Sequence, residues 1–124
     1  MKIKTGVMHQ SSTIVTDQYT AKSVGSGDLD VFATPSMIAL MENAAMELVN
    51  PYLTECQTTV GSEINVKHIK PSPLGDMVRS EATLVEIDGE RLVFKLRAWD
   101  SKGDIGYGTH VRYIVNKSKF VAKL

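Results

Sequence analysis

Residues 34–49, Thr-Pro-Ser-Met-Ile-Ala-Leu-Met-Glu-Asn-Ala-Ala-Met-Glu-Leu-Val, decide the fold. Apolar side chains recur at Met37, Ile38, Met41, Ala44, Ala45 and Leu48. Those offsets trace one face of a helix with 3.6 residues per turn. Thr34 is a good N-cap, and Pro35 suits the first helical position, where its missing N–H goes unused. Pro51 closes the segment, because the residue before a proline disfavours helical backbone. The pattern predicts a single strong helix over about residues 35–49.

Working outward from that helix, the chain reads as strand. Thr13–Ala21, rich in Thr, Val, Ile and Tyr, is the first extended candidate, and Gly25–Asp28 is a loop. Beyond the helix, Ser62–Ile69 alternates, with Ile64, Val66 and His68 on one face. Met77–Ile87 and Arg91–Trp99 flank Asp88-Gly89, a two-residue hairpin signal. Lys102-Gly103 turns the chain again into Ile105–Val115. Strand, helix and four strands joined mostly by tight turns make an α+β domain, an antiparallel sheet with one helix on one face. Residues 13–124 are expected to form that domain. Residues 1–12, polar and aperiodic, are expected to be loosely held. A sheet left with an open edge favours pairing with a second copy, hence a symmetric dimer.

The chain has 124 residues, with 14 Lys plus Arg against 14 Asp plus Glu, so its formal net charge is zero. That balance argues against non-specific binding to nucleic acid or to an anionic membrane, since both need surplus positive charge. Cys56 is the only cysteine, which excludes an intrachain disulfide and a cysteine-built zinc site. No stretch reaches the roughly 18 apolar residues of a membrane span. The lysines near the start are not followed by an apolar run, so no signal peptide is expected and a cytoplasmic location is the default.

Four residues stand out chemically. Glu42 borders the buried helix face, beside Ile38, Ala45 and Met41. A carboxylate in poor solvent has its charged form disfavoured, which suits proton transfer near neutral pH; the bland reading is a carboxylate reaching sideways to water. His68 shares a strand face with Ile64 and Val66, so it is either a general base or electrophile, or a satisfied core histidine. Thr34 is an N-cap, or a hydroxyl at a positive helix end able to bind or attack a polar group. Gly61 marks a turn or bulge, or leaves a backbone N–H open to an oxyanion. His9 and His110 have no partner legible in the sequence. No second ligand at metal spacing is present, so no metal site is expected. Cys56 sits beside Glu55 in a polar loop, which disfavours a thiolate.

Val31-Phe32-Ala33-Thr34, Leu40-Met41-Glu42, Gly61 and Val66-Lys67-His68, with Thr-to-Glu and Glu-to-His spacings of eight and 26, carry a resemblance. So does Ile105–Arg112 in the last strand. In order and spacing they resemble the fluoroacetyl-CoA thioesterase-like branch of the hotdog-fold thioesterases, over about residues 13–120. The resemblance implies a hotdog fold, a long helix wrapped by an antiparallel sheet and paired into a homodimer. It implies hydrolysis of a small acyl-CoA thioester, with coenzyme A as substrate and no bound cofactor. Thr34, Glu42 and His68 take the catalytic positions, the Gly61 N–H faces the thioester oxygen, and Arg112 contacts substrate. The sequence departs from the fluoroacetyl-selective pattern, since Ser23–Asp30 contains no aromatic residue and Pro35 and Ser36 replace the expected neighbours. The alternatives are a non-catalytic acyl-CoA-binding hotdog protein and a hotdog hydratase or dehydratase. Whether Thr34 or Glu42 leads the attack, and whether one subunit or two supply the site, stays open on the sequence.

Overall fold

A computed structural model describes residues 2–124. The decisive segment forms α2, Thr34–Val49, with Met37, Met41, Ala44, Ala45, Leu48 and Val49 buried. Asn50–Tyr52, carrying Pro51, follows as a 3-10 turn. The helix starts one residue earlier than expected. Ala33 is its N-cap and makes no side-chain cap, so Thr34 is not the capping residue and its hydroxyl is free for other use.

The helix lies on a five-stranded antiparallel sheet in the order β1-β3-β4-β5-β2. These strands are β1, Met8–Ile14; β2, Gln57–His68; β3, Met77–Asp88; β4, Arg91–Asp100; and β5, Gly103–Asn116. β4 alternates cleanly, with Leu92, Phe94, Leu96 and Ala98 buried. With Val78, Ala82 and Leu84 of β3 they close over the apolar stripe of α2 in one core. Ser80, buried beneath the helix, donates from Oγ to the Leu40 carbonyl at 3.0 Å.

The first strand corrects the sequence reading. It runs Met8–Ile14 rather than Thr13–Ala21, so residues 8–12, expected to be loosely held, are paired with β3 from Met8↔Thr83 to Ile14↔Met77. Its pattern is inverted: Met8 and Ile14 face out at 59% and 41% exposure, while His9, Ser11 and Thr13 are the half-buried positions. Two of them, His9 and Ser11, meet polar groups of α2. Ser11 Oγ donates to Asn43 Oδ1 at 2.7 Å, and His9 Nε2 lies 3.4 Å from Glu47 Oε1. The chain after β1 forms a 3-10 turn, Asp17–Tyr19, and the short helix α1, Ala21–Val24, where a strand end was expected. Thr20 caps α1 by accepting from the Ser23 N–H at 3.3 Å, and Gly25, at φ +79°, ends it in the left-handed region. A terminal helix, α3, Lys117–Ala122, was not anticipated.

Two features of the sheet prepare the site. β2 is an edge strand, and its residues 61–65 are all exposed. Its pairing with β5 shifts register between Gly61 and Glu63, a bulge at Ser62. At the other end of β2, the 70–72 segment is anchored on Asp100. That carboxylate accepts from Lys70 Nζ at 2.6 Å, Ser72 Oγ at 2.8 Å and the Lys102 N–H at 2.8 Å. Burial alone would raise its pKa, but these donors outweigh burial and hold it below the usual carboxylate value. The anchor sits two residues past His68 and fixes the end of the strand. Among the described residues no helix is long and apolar enough to cross a membrane.

Candidate active site

The structure sorts the five sequence-selected residues into two groups. Thr34 opens α2 and His68 closes β2, and their side chains meet: Thr34 Oγ1 lies 2.8 Å from His68 Nδ1. The other ring nitrogen, His68 Nε2, is buried and has no hydrogen-bond partner among the described residues. Burial pulls the His68 pKa below the ordinary imidazole value, so the ring is a neutral base near pH 7. Both residues line a cavity of about 310 Å³ walled by Phe32, Val31, Ile69 and Lys70. A larger cavity, about 470 Å³, lies on the opposite flank of α2 against Tyr19, Pro35 and Leu40, and none of the five lines it.

The second group gathers two turns further along α2. Glu42 Oε2 lies 3.8 Å from His110 Nε2 and 3.9 Å from Arg112 Nη1. A Cβ placed on Gly61 would come within 2.9 Å of Glu42 Oε2 and 3.1 Å of His110 Cε1. Gly61 is a glycine because the carboxylate and the imidazole occupy the space a side chain would take. The Glu42 side chain keeps 40% of its exposure, so it borders the core and opens outward, as its helix position predicts.

Arg112 is only 7% exposed. Nε donates to Thr59 Oγ1 at 2.9 Å, Nη2 to the Thr59 carbonyl at 3.0 Å, and Nη1 to His110 Nε2 at 3.1 Å. Three of the five N–H protons of a guanidinium are thus bonded inside the chain. Burial works against its charge and the Glu42 carboxylate supports it. His110, 1% exposed, donates from Nδ1 to the Glu63 carbonyl at 2.7 Å. Sequence reasoning found no partner for it. The available signal was its inward alternation behind Gly106 and Gly108, two positions with no side chain to fill the same face. His9 pairs with Glu47 away from both groups, and Cys56 is exposed. Among the described residues no group of three or more His, Cys, Asp or Glu is arranged to hold a metal ion.

The two imidazoles, His110 buried and His68 half-buried, carry a pH prediction. Burial lowers the pKa of His68 and of His110 below 6.5. Between those folded values and about 6.5 the unfolded chain binds protons that the folded chain refuses. Stability present above about pH 6.5 is therefore lost as pH falls through the folded values. The urea midpoint is expected to drop between about pH 7.5 and pH 5.5 at constant m, and His110→Gln should remove part of that dependence.

Comparison with known proteins identifies the family and the fold. A family described as fluoroacetyl-CoA-specific thioesterase matches residues 15–118. A fluoroacetyl-CoA thioesterase of Streptantibioticus cattleyicolor is 38% identical over 95 residues, 77% of this chain and 68% of that protein. The crystal structure of a point mutant of a fluoroacetyl-CoA-specific thioesterase, in complex with fluoroacetate and CoA, superimposes with a TM-score of 0.91 at 30% identity, covering 95% of this chain and 99% of that one. A hot-dog-like protein from Thermanaerovibrio acidaminovorans matches with a TM-score of 0.89 at 24% identity over 98% of this chain and 90% of its own, which shows the hotdog fold.

Proposed function

The chain belongs to the fluoroacetyl-CoA-specific thioesterase family and is an acyl-CoA thioesterase; on that premise we propose that it cleaves a small acyl-CoA in a site assembled from two subunits. The observation that carries this is the separation of the two groups. Thr34 and Glu42 are eight residues apart on one helix, about 12 Å of rise, so one chain cannot bring both to a single carbonyl. The free β2 edge supplies the missing half. Antiparallel pairing of β2 with a second β2 through the exposed 61–65 edge would bring the His68 end of one strand beside the Gly61 end of its partner. The partner's Glu42 then arrives beside Thr34 and His68.

The exposed Gly61–Asn65 edge and Ile64, 37% exposed, support the pairing. The buried, unpartnered His68 Nε2 supports the chemistry. With the Thr34 hydroxyl on Nδ1, the ring holds its proton on Nε2, where the partner's Glu42 carboxylate accepts it. Proton transfer for hydrolysis runs along this Thr34–His68–Glu42 line. The bulge beside Gly61 locally interrupts the ladder, and its N–H is the group we assign as oxyanion donor. Arg112, whose Nη1 lies 3.9 Å from Glu42 Oε2, is the residue we propose to contact the acyl group. Coenzyme A enters as substrate and no bound cofactor is needed. The 310 Å³ cavity and the absence of aromatic side chains from residues 23–30 favour a small acyl group without selectivity for its fluorinated form. The unpaired cysteine and the acyl-CoA substrate fit a cytoplasmic location.

The test is release of free CoA from acetyl-, propionyl-, butyryl- and fluoroacetyl-CoA, read with a thiol reagent, alongside the mass of the assembly in solution. A dimer that releases CoA from the short acyl series is the expected result. A monomer that turns over at full rate overturns the two-subunit site. Mass analysis of the wild-type enzyme quenched during its first turnover divides the chemistry further: an acyl adduct on Thr34 assigns attack to the hydroxyl, whereas a Thr34→Ala variant that still releases CoA assigns attack to water activated by Glu42.

A further inference from the structure

His110 has no place in the reaction so far described, yet it is among the most buried side chains of the protein, and its two nitrogens are both committed. Its hydrogen bonds fix its chemical state without ambiguity. The Glu63 carbonyl, 2.7 Å from Nδ1, can only accept, so Nδ1 carries a proton. Arg112 Nη1, 3.1 Å from Nε2, can only donate, so Nε2 presents a lone pair. The ring is the neutral Nδ1–H tautomer. We infer that His110 is a positioning residue: as a neutral acceptor it locks the Arg112 guanidinium, which with Gly61 sets where the Glu42 carboxylate rests. This rests on the reading of Glu42 as the reacting carboxylate.

The arrangement has one stable solution. Arg112 is held on three sides, by the Thr59 hydroxyl, the Thr59 carbonyl and His110, and its Nη1 edge faces Glu42 Oε2 at 3.9 Å. His110 Nε2 faces the same carboxylate oxygen at 3.8 Å but offers it no proton. The carboxylate is therefore attracted by the guanidinium, turned away by the imidazole lone pair, and walled by the space over Gly61. It is steered without being consumed in a tight ion pair, which leaves it available for proton transfer. A second proton on His110 would reverse this. Nε2–H would lose Arg112 as a donor and bind the Glu42 carboxylate instead. The charged groups acting on His110 are Glu42 from α2 and Arg112 from β5; β2 contributes the Glu63 carbonyl and β4 the Phe94 ring, 6.1 Å away between centroids. Burial adds to the bias toward the neutral form.

Two substitutions separate the two hydrogen bonds. His110→Asn keeps a donor for the Glu63 carbonyl and deletes the acceptor that Arg112 needs. His110→Gln carries an oxygen acceptor out to the Nε2 position. With acetyl-CoA as probe, His110→Asn is expected to lose roughly 10- to 100-fold in kcat with KM changed by less than about twofold. His110→Gln should recover most of that loss, and both should melt near the wild type. ¹⁵N–¹H long-range correlation of the imidazole nitrogens at pH 7 should show a protonated Nδ1 and an unprotonated Nε2, assigned by its disappearance in His110→Gln. An imidazolium or an Nε2–H tautomer overturns the inference. So does a fully active His110→Asn, or a parallel fall of kcat and melting temperature in both variants, which is the signature of a merely structural histidine. Glu42→Gln is the control. If it is silent while His110→Asn is fully active, only the positioning role fails. If it is fully active, the carboxylate is idle, and the parent reading fails together with its positioning.

Discussion

On the proposed two-subunit site, His68→Ala and Glu42→Gln are each expected to silence the enzyme, and a mixture of the two unfolded and refolded together is expected to regain about a quarter of wild-type CoA release. The first half follows from proton transfer. Removing a positioned acid or base typically lowers the rate roughly 10²- to 10⁴-fold. His68, hydrogen-bonded to the Thr34 hydroxyl, is the proposed base, and Glu42 is the carboxylate proposed to meet its buried Nε2. The second half follows from symmetry. If each site takes Thr34 and His68 from one chain and Glu42 from the other, a mixed dimer has one site with both lesions and one with none. Random association makes about half the dimers mixed, each with one working site of two, hence about a quarter overall. A site built within one chain gives no recovery at all, because every chain in the mixture carries a lesion. The distance along α2 already speaks against that case, since eight helical residues hold Thr34 and Glu42 about 12 Å apart. Neither variant is expected to unfold. Glu42 keeps 40% of its side-chain exposure, and His68 already has a nitrogen without a partner, so truncation removes one hydrogen bond to Thr34. Circular dichroism and the dimer mass check that point. Recovery that stays at the level of the separate variants would sink the two-subunit site.

How much of this was legible beforehand depends on which force holds each part. The helix and the three strands β3, β4 and β5 are held by apolar burial, which writes a period into the sequence, and Met37, Met41, Leu92, Phe94 and Leu96 all lie where that period put them. β1 is held differently. Its inward positions, His9, Ser11 and Thr13, are polar, and the first two meet polar groups on α2, so no apolar alternation marks it and the strand was read five residues late. Thr34 shows the same limit at one residue. A threonine before Pro35 has the grammar of an N-cap, but the hydroxyl is taken by His68, 34 residues away, and a contact of that separation leaves no local trace. His110 was invisible for a related reason: its meaning lies in Glu63, Arg112 and Glu42, on three different elements. The resemblance to a known family reached further than periodicity could, naming Thr34, Glu42, His68, Gly61 and Arg112 together. It did not say that one chain would hold them as two separate groups, which only the coordinates of α2 and β2 show.

Gly61→Ala and Gly108→Ala add the same methyl group to neighbouring strands, β2 and β5, and should fail in opposite ways. Neither glycine has a positive φ, so backbone strain plays no part and space alone decides. A Cβ on Gly108 meets the Asn65 carbonyl oxygen and comes within 2.6 Å of Val66 Cα, both backbone of β2. Backbone cannot step aside without opening the β2–β5 ladder, where Gly108 pairs with Val66. The variant is expected to lose about 1–3 kcal/mol or more in urea unfolding, and with it the β2 edge on which the second subunit would pair. A Cβ on Gly61 instead meets Glu42 Oε2 at 2.9 Å, the far end of a flexible side chain that is partly open to solvent. That carboxylate can move, so stability should change by less than about 1 kcal/mol, part of any crowding being offset by the lower chain entropy of alanine. Catalysis should not be spared, because the moved group is the one whose position matters: a shift of about 1 Å at a reacting carboxylate is enough to lose roughly 10²-fold in kcat. The pair of variants therefore separates two roles of glycine in the β2–β5 ladder, carrying the sheet at Gly108 and making room for the carboxylate at Gly61. Equal destabilisation of both, or a fully active Gly61→Ala enzyme, would show that Gly61 is part of the scaffold and that the space above it does not set the place of Glu42.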